Sequence, residues 1–362
     1  MFISHLGLKL VVSIILSFAI SFAMTPIVKN FAIKVGAIDV PKDGRRMHDH
    51  PIPRMGGLAI FIGFLLTVVL FADLTQQIRG VLIGAIIIAA LGAIDDIMAL
   101  NAWIKLAGQI LAAIVAVSNG VVIHLFMNPN IFSGNEYIIL EGLSLPITIL
   151  WIVGVTNAVN LIDGLDGLAC GVSTIASLTM FVVALLVSES NVAVVLAALM
   201  GACLGFLPYN MNPAKIFMGD TGALLLGYVL ATTSAVGMFK FYAVVTFLVP
   251  LLALALPLMD TLFAIVRRVL NGQSPFAPDR GHFHHRLVDM GLNQKQAVAI
   301  LYAVSAMLGL CAVVVVSTGT VRICLLVLAV FVALAISKYI TDTVIHHDDP
   351  IEGADDEDAA SQ

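Results

Sequence analysis

Charged side chains are scarce in this sequence. They make up 11% of its 362 residues, where ordinary soluble domains carry roughly 25%. So little charge excludes a water-soluble globular enzyme. Basic residues are not in excess either, with 18 Lys and Arg against 23 Asp and Glu, so no nucleic-acid partner is expected. Cysteine is rarer still. Cys170, Cys203, Cys311 and Cys324 all lie in apolar runs, and none has a CxxC partner. That pattern argues against disulfides and cysteine-based metal sites, and the four read as small packing residues.

What the chain has in abundance is apolar surface. Hydrophobic residues make up 60% of it, and a bilayer-spanning helix needs about 20 of them. Uninterrupted apolar windows fall near 6–28, 56–73, 80–97, 103–124, 145–162, 167–187, 191–208, 221–238, 241–266, 296–316 and 320–340, eleven in all. The expected fold is all-α, a polytopic integral membrane helix bundle in the lipid bilayer with about eleven transmembrane helices. The first window carries only Lys9 near its start and is followed by Lys29 and Lys34. It therefore reads as a retained span with its N-terminus outside, not as a signal peptide. An odd number of spans then puts the C-terminus in the cytoplasm. With the loop at 29–55 inside, 14 Lys and Arg are cytoplasmic and 4 external, a strong positive-inside bias. Repeats and linkers are lacking, so residues 1–345 read as one membrane-embedded domain. Residues 346–362 hold seven of the acids and no Lys or Arg, and read as a disordered cytoplasmic tail.

In this orientation nearly every unusual polar cluster falls on the cytoplasmic side, beginning with the stretch at 39–57. Asp95-Asp96 ends the third window. Each carboxylate in an apolar span costs about 2.5–3.5 kcal/mol on insertion scales. Two readings stand: solvated acids at a helix end, or a pair serving a metal–phosphate site. Mg²⁺ takes hard oxygen ligands and works through one or two carboxylates plus substrate phosphates. Lys105, at the start of the fourth window, could bind phosphate as a point charge.

In the run from Asn157 to Gly167, Asn157, Asn160 and Asp163 are three apart and share one broad face of a helix end. Gly164 and Gly167 allow a break beside Asp163 and Asp166. A polar interhelical seam is one reading; oxygen donors for Mg²⁺ and partners for a nucleobase or ribose are the other. Asp220, in Gly219-Asp220-Thr221-Gly222, is either a simple N-cap or a carboxylate beside free helix N–H groups, suited to Mg²⁺-bound phosphate. His282, His284, His285 and Arg286 sit in a basic loop with Asp279 and Arg280. Zinc would want Cys or a second His pair at recognisable spacing, and the mix of His and Arg reads better as clamps on a diphosphate. A solvated interfacial loop is the alternative. Gly201 and Gly205 form a small-residue packing face. Asp260, after Pro250 and Pro257, pairs with Arg267 or Arg268 or belongs to the site. A one-sided rim of this kind suggests catalysis at the membrane face. The rival, a transporter, would set its ionisable groups near mid-bilayer.

Asp95-Asp96, NAVNLIDGLDGLA, FMGDTGALLLG and the HFHH loop resemble the polyprenyl-phosphate N-acetylhexosamine-1-phosphate transferases. The motifs run in family order from about Asp39 to Leu287. The HxHH form of the last loop is similar to the bacterial branch using UDP-GlcNAc, not to the branch using UDP-MurNAc-pentapeptide. Some members carry a further charge three residues after the aspartate pair; here those positions are Met98 and Ala99. The resemblance implies transfer of GlcNAc-1-phosphate from UDP-GlcNAc to undecaprenyl phosphate, releasing UMP. This would be the first membrane step of a cell-surface polysaccharide of O-antigen or enterobacterial common antigen type. It implies Mg²⁺, replaceable by Mn²⁺, in an enzyme of the bacterial inner membrane whose site faces the cytoplasm, with a homodimer as a candidate assembly. Carried over by position, Asp220 and Asn160 hold the metal, and Asp95 and Asp96 are the catalytic pair at the attacking phosphate. Asp166, with Asp163 and Asn157, faces the nucleotide. Lys105, His282, His284, His285 and Arg286 face the diphosphate.

Overall fold

The structure is a computed structural model that describes residues 2–41, 50–123, 125–127, 137–139, 141–237, 243–274, 281–320 and 322–327. The helices, in chain order, are α1 (Phe2–Val35), α2 (Gly57–Phe71), α3 (Gln76–Met98), α4 (Ala102–Ser118), α5 (Ser144–Leu161), α6 (Leu168–Leu186), α7 (Ser190–Asn210), α8 (Gly219–Gly237), α9 (Ala243–Ala253), α10 (Ala255–Leu270), α11 (Phe283–Asp289) and α12 (Gln294–Val316). Two small antiparallel hairpins join them: β1 (Ile38–Asp39) with β2 (Ile52–Pro53), and β3 (Leu125–Met127) with β4 (Tyr137–Ile139). By length and composition α1, α3, α5, α6, α7 and α12 can each cross a membrane, and α2 and α4 are shorter apolar helices. This is a polytopic helical membrane protein.

The first eight apolar windows and the tenth each coincide with one helix. The ninth does not. It is divided at Leu254 into α9 and α10. Pro250 and Pro257 flank the break, and each removes a backbone donor and crowds the preceding turn. Most of the eleventh window, the acidic tail at 346–362, and Asp279 and Arg280 lie outside the described residues.

The core runs along α7 and α8. Every α8 residue from Thr221 to Gly237 is buried, as expected of a helix apolar on all sides. Its 19 residues rise about 28 Å at ~1.5 Å each, close to the ~30 Å of a hydrocarbon core. It packs mainly against α3 and α5. The Gly201–Gly205 face meets α1 as expected: a Cβ at either glycine would run into Ile14 and Ser17, or Phe18, of that helix. On its other side α1 exposes Leu8, Val11 and Ile15, a surface that only lipid or another apolar surface can cover favourably.

Two junctions position the polar groups. First, a Cβ at Gly92 would strike the backbone of Asp220 and Thr221, so the end of α3 lies directly on the start of α8. Second, residues 53–57 are stitched to the approach to α8. Phe217 N–H donates to the Pro53 carbonyl at 2.8 Å, while Gly56 N–H and Gly57 N–H donate to the Phe217 and Met218 carbonyls, each at 2.9 Å. Met55, between them, holds a φ of 89°, a region costly for a side chain with Cβ; the bonds on both sides keep it there.

Candidate active site

The two adjacent aspartates of α3 have separate partners. Asp96 is 2% exposed and reaches across to α8. Its Oδ1 accepts from Asp220 N–H at 3.0 Å; its Oδ2 accepts from Thr221 N–H at 3.1 Å and the Thr221 hydroxyl at 2.6 Å. A helix begins with N–H groups that lack intrahelical partners, and here a carboxylate from another helix satisfies two of them. Gly219 makes this possible: its φ is 71°, and a Cβ there would collide with the Asp96 carboxylate. The cap of α8 is thus Asp96, not Asp220. Asp95, also buried, accepts from Leu100 N–H at 2.6 Å and from Lys105 Nζ at 3.1 Å. The solvated-acid reading fails for both.

Lys105, from the first turn of α4, bridges Asp95 and Asp220, with Nζ 2.9 Å from Asp220 Oδ2. The other Asp220 oxygen accepts from Asn160 Nδ2 at 3.2 Å. Freed from capping its own helix, Asp220 projects into the space between α4 and α5.

Two cavities meet there. The first, about 400 Å³, is lined by Arg54, Asp96, Asn160, Asp163, Asp166, Phe217, Asp220, His285 and Gln294, among others. The second, about 360 Å³, is lined by Trp103, Lys105, Leu106, Gln109, Asn157, Asn160, Asp220 and Leu224, among others. Asn160 and Asp220 belong to both walls. Asn157, expected with the nucleotide group, lies instead on the second cavity. It makes a reciprocal amide pair with the buried Gln109, donating at 2.5 Å and accepting at 3.3 Å. Lys105 likewise lines the second cavity and not the first.

Asp163 and Asp166 stand on the short connection between α5 and α6. Asp166 Oδ2 accepts from Asn212 Nδ2 at 2.9 Å and Ala214 N–H at 3.0 Å, and Asn212 also donates to Gln294 of α12 at 2.5 Å. Burial, reinforced by the charges of Asp220, Asp96 and Asp166, pushes the Asp163 carboxyl up to about 8.

Of the histidine motif, only His285 lines the first cavity. His282 and His284 are buried behind it. His282 Nδ1 lies 2.8 Å from Asp260 Oδ2, so of the alternatives for Asp260 it is a residue of the histidine motif, and not Arg267 or Arg268, that it pairs with. Burial, aided by the neighbouring His285, lowers His284 to about 4. Arg286 is exposed and lines neither cavity.

The donors at the junction are hard oxygens, the Asp220 carboxylate and the Asn160 amide, with the Asp163 carboxyl on the wall of the first cavity. They suit a divalent cation such as Mg²⁺ or Mn²⁺, which needs one or two carboxylates plus substrate phosphates. Among the described residues no three or more His, Cys, Asp or Glu side chains converge as a metal cage. Sequence reasoning missed Arg54, Phe217, Gln109 and Gln294 as lining residues. Arg54 had a signal: it lies in the polar stretch at 39–57, and its Nε donates to the Asp96 carbonyl at 3.1 Å.

Residues 78–238 match the family model described as glycosyl transferase family 4, a stretch that holds Asp95, Asp96, Lys105, Asn160, Asp163, Asp166 and Asp220. A probable undecaprenyl-phosphate N-acetylglucosaminyl 1-phosphate transferase of Bacillus subtilis is 41% identical over 326 residues, 90% of each chain. A decaprenyl-phosphate N-acetylglucosaminephosphotransferase of Mycolicibacterium smegmatis is 39% identical, covering 78% of this chain and 76% of its own. A phospho-N-acetylmuramoyl-pentapeptide-transferase of Caldicellulosiruptor bescii is 35% identical over 61% of this chain and 72% of its own. With that likeness spanning nine-tenths of a relative, and the shared motifs drawn together around one junction, the chain belongs to glycosyl transferase family 4, among its polyprenyl-phosphate N-acetylhexosamine-1-phosphate transferases.

Proposed function

We propose that this protein transfers GlcNAc-1-phosphate from UDP-GlcNAc to undecaprenyl phosphate, giving undecaprenyl-diphosphate-GlcNAc and UMP. One observation carries the reading: two cavities of different character share Asp220 and Asn160. The first is rich in carboxylates and amides and suits a nucleotide sugar. The second has an apolar wall of Trp103, Leu106 and Leu224 with Lys105 at its polar end, which suits a phosphate on a long isoprenoid tail.

In this reading Phe217 gives the base an aromatic face. Asp166, fixed by Asn212 and the Ala214 amide, offers its second oxygen to the uridine. Arg54 and His285 meet the diphosphate. Asp220 and Asn160 hold Mg²⁺, which when bound offsets the charge of the two phosphates. Lys105, steered by Asp95, meets the acceptor phosphate. One of that phosphate's oxygens bonds to the sugar-bearing phosphorus. The bond from this phosphorus to the bridging oxygen breaks, and UMP leaves with that oxygen. No strong base is needed, because a phosphate monoester with a second pKa of ~6 is mostly dianionic at neutral pH. Asp95 and Asp96 therefore serve by position and field. The distribution of Lys and Arg, 14 against 4, supports an inner-membrane protein whose site faces the cytoplasm.

The test is UMP release by the purified protein in detergent with undecaprenyl phosphate and, in turn, UDP-GlcNAc, UDP-GalNAc and UDP-MurNAc-pentapeptide. The expected result is fastest release from UDP-GlcNAc, abolished by EDTA and restored by Mg²⁺ or Mn²⁺. Preference for the pentapeptide donor would move the protein to the sister activity, and no release from any donor would sink the transferase reading.

A further inference from the structure

Asp260 lies outside both cavities, and the transfer reaction as described makes no use of it. It is nevertheless 3% exposed, on a helix whose neighbouring residues Met259, Leu262 and Phe263 are all exposed and apolar. A carboxylate is not kept in such surroundings without partners. Its partners are both in the histidine motif. One oxygen lies 2.8 Å from His282 Nδ1; the other accepts from Phe283 N–H at 2.8 Å. His282 is the N-cap residue of α11 and makes no side-chain cap bond of its own. Asp260 thus supplies the cap from another helix and holds the ring of the N-cap residue at the same time.

The grip extends along α10. Phe263 meets Phe283 edge-on, with ring centroids 5.8 Å apart and planes at 80°. The Arg267 guanidinium lies against Gly281 where a Cβ would otherwise be. Asp260, Phe263 and Arg267 are spaced three and four apart, so they form one face of the helix, and that face holds residues 281–283 at three successive points. From His282 a run of rings leads to the site. His282 and His284 are stacked at 5.7 Å and 9°, and His284 and His285 are tilted at 4.3 Å and 45°. His285 is the member of the run that lines the first cavity.

We infer that Asp260 is a positioning residue: by capping α11 and fixing the His282 ring, it sets the place of His285 at the wall of the first cavity. A carboxylate can only accept, so His282 Nδ1 carries a proton and donates it to Asp260, which fixes the ring's orientation. Partners of this kind, one step removed from the reacting groups, contribute about 10–100-fold where they have been removed from metal sites.

The experiment rests on the transferase reading for one arm only. Asp260→Asn keeps the volume and can keep the oxygen that faces Phe283 N–H, but it turns a donor toward His282 and opposes the proton on Nδ1. Its kcat/KM for UDP-GlcNAc should fall about 10–100-fold, with the thermal midpoint close to wild type. In a His285→Ala background the same substitution should cost nothing further, because the residue it positions is gone. Multiplying effects, a wild-type rate for Asp260→Asn, or a wild-type rate for His285→Ala would each overturn the inference. The second arm is hydrogen exchange on the full-length protein. Asp260→Ala should lose protection across 281–289 while Asp260→Asn retains most of it. Unchanged protection in Asp260→Ala would also overturn the inference. A wild-type protein that releases no UMP would defeat the transferase reading alone, and the exchange arm would then decide the clamp.

Discussion

Two helices that carry site residues, α8 and α11, begin in the same way and are supported very differently. Each starts on a carboxylate contributed by another helix, Asp96 for α8 and Asp260 for α11. The long helix α8 is buried from Thr221 to Gly237. Its cap secures the first turn of an element that packing already holds. By contrast, α11 has seven residues, too few to be stable without tertiary contacts, so its cap and the grip of α10 decide where it stands. Removing the α8 cap leaves donors unsatisfied inside the packed core, so the loss should fall on the stability of the whole fold, whereas removing the α11 cap should loosen a region.

The largest effect is expected where the α8 turn delivers its product. Asp220→Asn keeps the volume but removes charge from the junction of the two cavities. UMP release should fall about 10³-fold, with an unchanged thermal midpoint and little rescue by added Mg²⁺. Near-normal turnover would reduce Asp220 to a bystander of its helix start. Next comes the cap itself. Asp96→Ala strands two buried amide N–H groups and the Thr221 hydroxyl, a loss of about 2–4 kcal/mol. It should lower the melting temperature in detergent clearly more than Asp260→Ala does. Equal losses would end the distinction between the two caps.

Smaller effects follow from the two shifted groups. Asp163 sits near 8 in the folded protein and at about 3.9 when unfolded. Between those values the unfolded chain binds fewer protons, so the stability of the metal-free protein falls as pH rises, and the slope ends above pH 8. Asp163→Asn should remove that slope, gaining on the wild type in melts from pH 5 to 8.5 in EDTA. A constant difference across the range would count against a strained carboxyl. His284 has the opposite sense and the smallest expected effect. Its folded value is about 4 against about 6.5 unfolded, so stability falls as pH drops from 6.5 toward 4. Exchange protection of 281–289 should weaken over that interval in the wild type and stay level in His284→Gln.

Much of the fold was legible because apolar runs of bilayer length have few alternatives in lipid. The division at Leu254 was missed although both prolines were visible, since hydropathy does not register a broken backbone. The site was legible as a set: Asp95, Asp96, Asn160, Asp163, Asp166 and Asp220 do converge. Individual partners were not. Asp96 meets Asp220 and Thr221 across 124 and 125 positions, and no local period reports such a pairing. Asp260 was open between Arg267 or Arg268 and the site, and its carboxylate turns off its own helix to His282. Asn157 was grouped with Asn160 by spacing. Both do line the second cavity, but the Asn157 amide is engaged by Gln109 of α4 and only Asn160 reaches the first.

The long separation of Asp96 from its α8 partners has a consequence for biosynthesis. A ribosome adds about 5–20 residues per second, so the 124 positions from Asp96 to Asp220 take about 6–25 s to make. For that interval the Asp96 carboxylate stands at the end of α3 without these partners, because the amides that will satisfy it have not been translated. An apolar residue at position 96 would never need these partners and would leave α8 uncapped in the finished protein. The carboxylate is thus in place first, and the start of α8 is set on it when the later helix arrives.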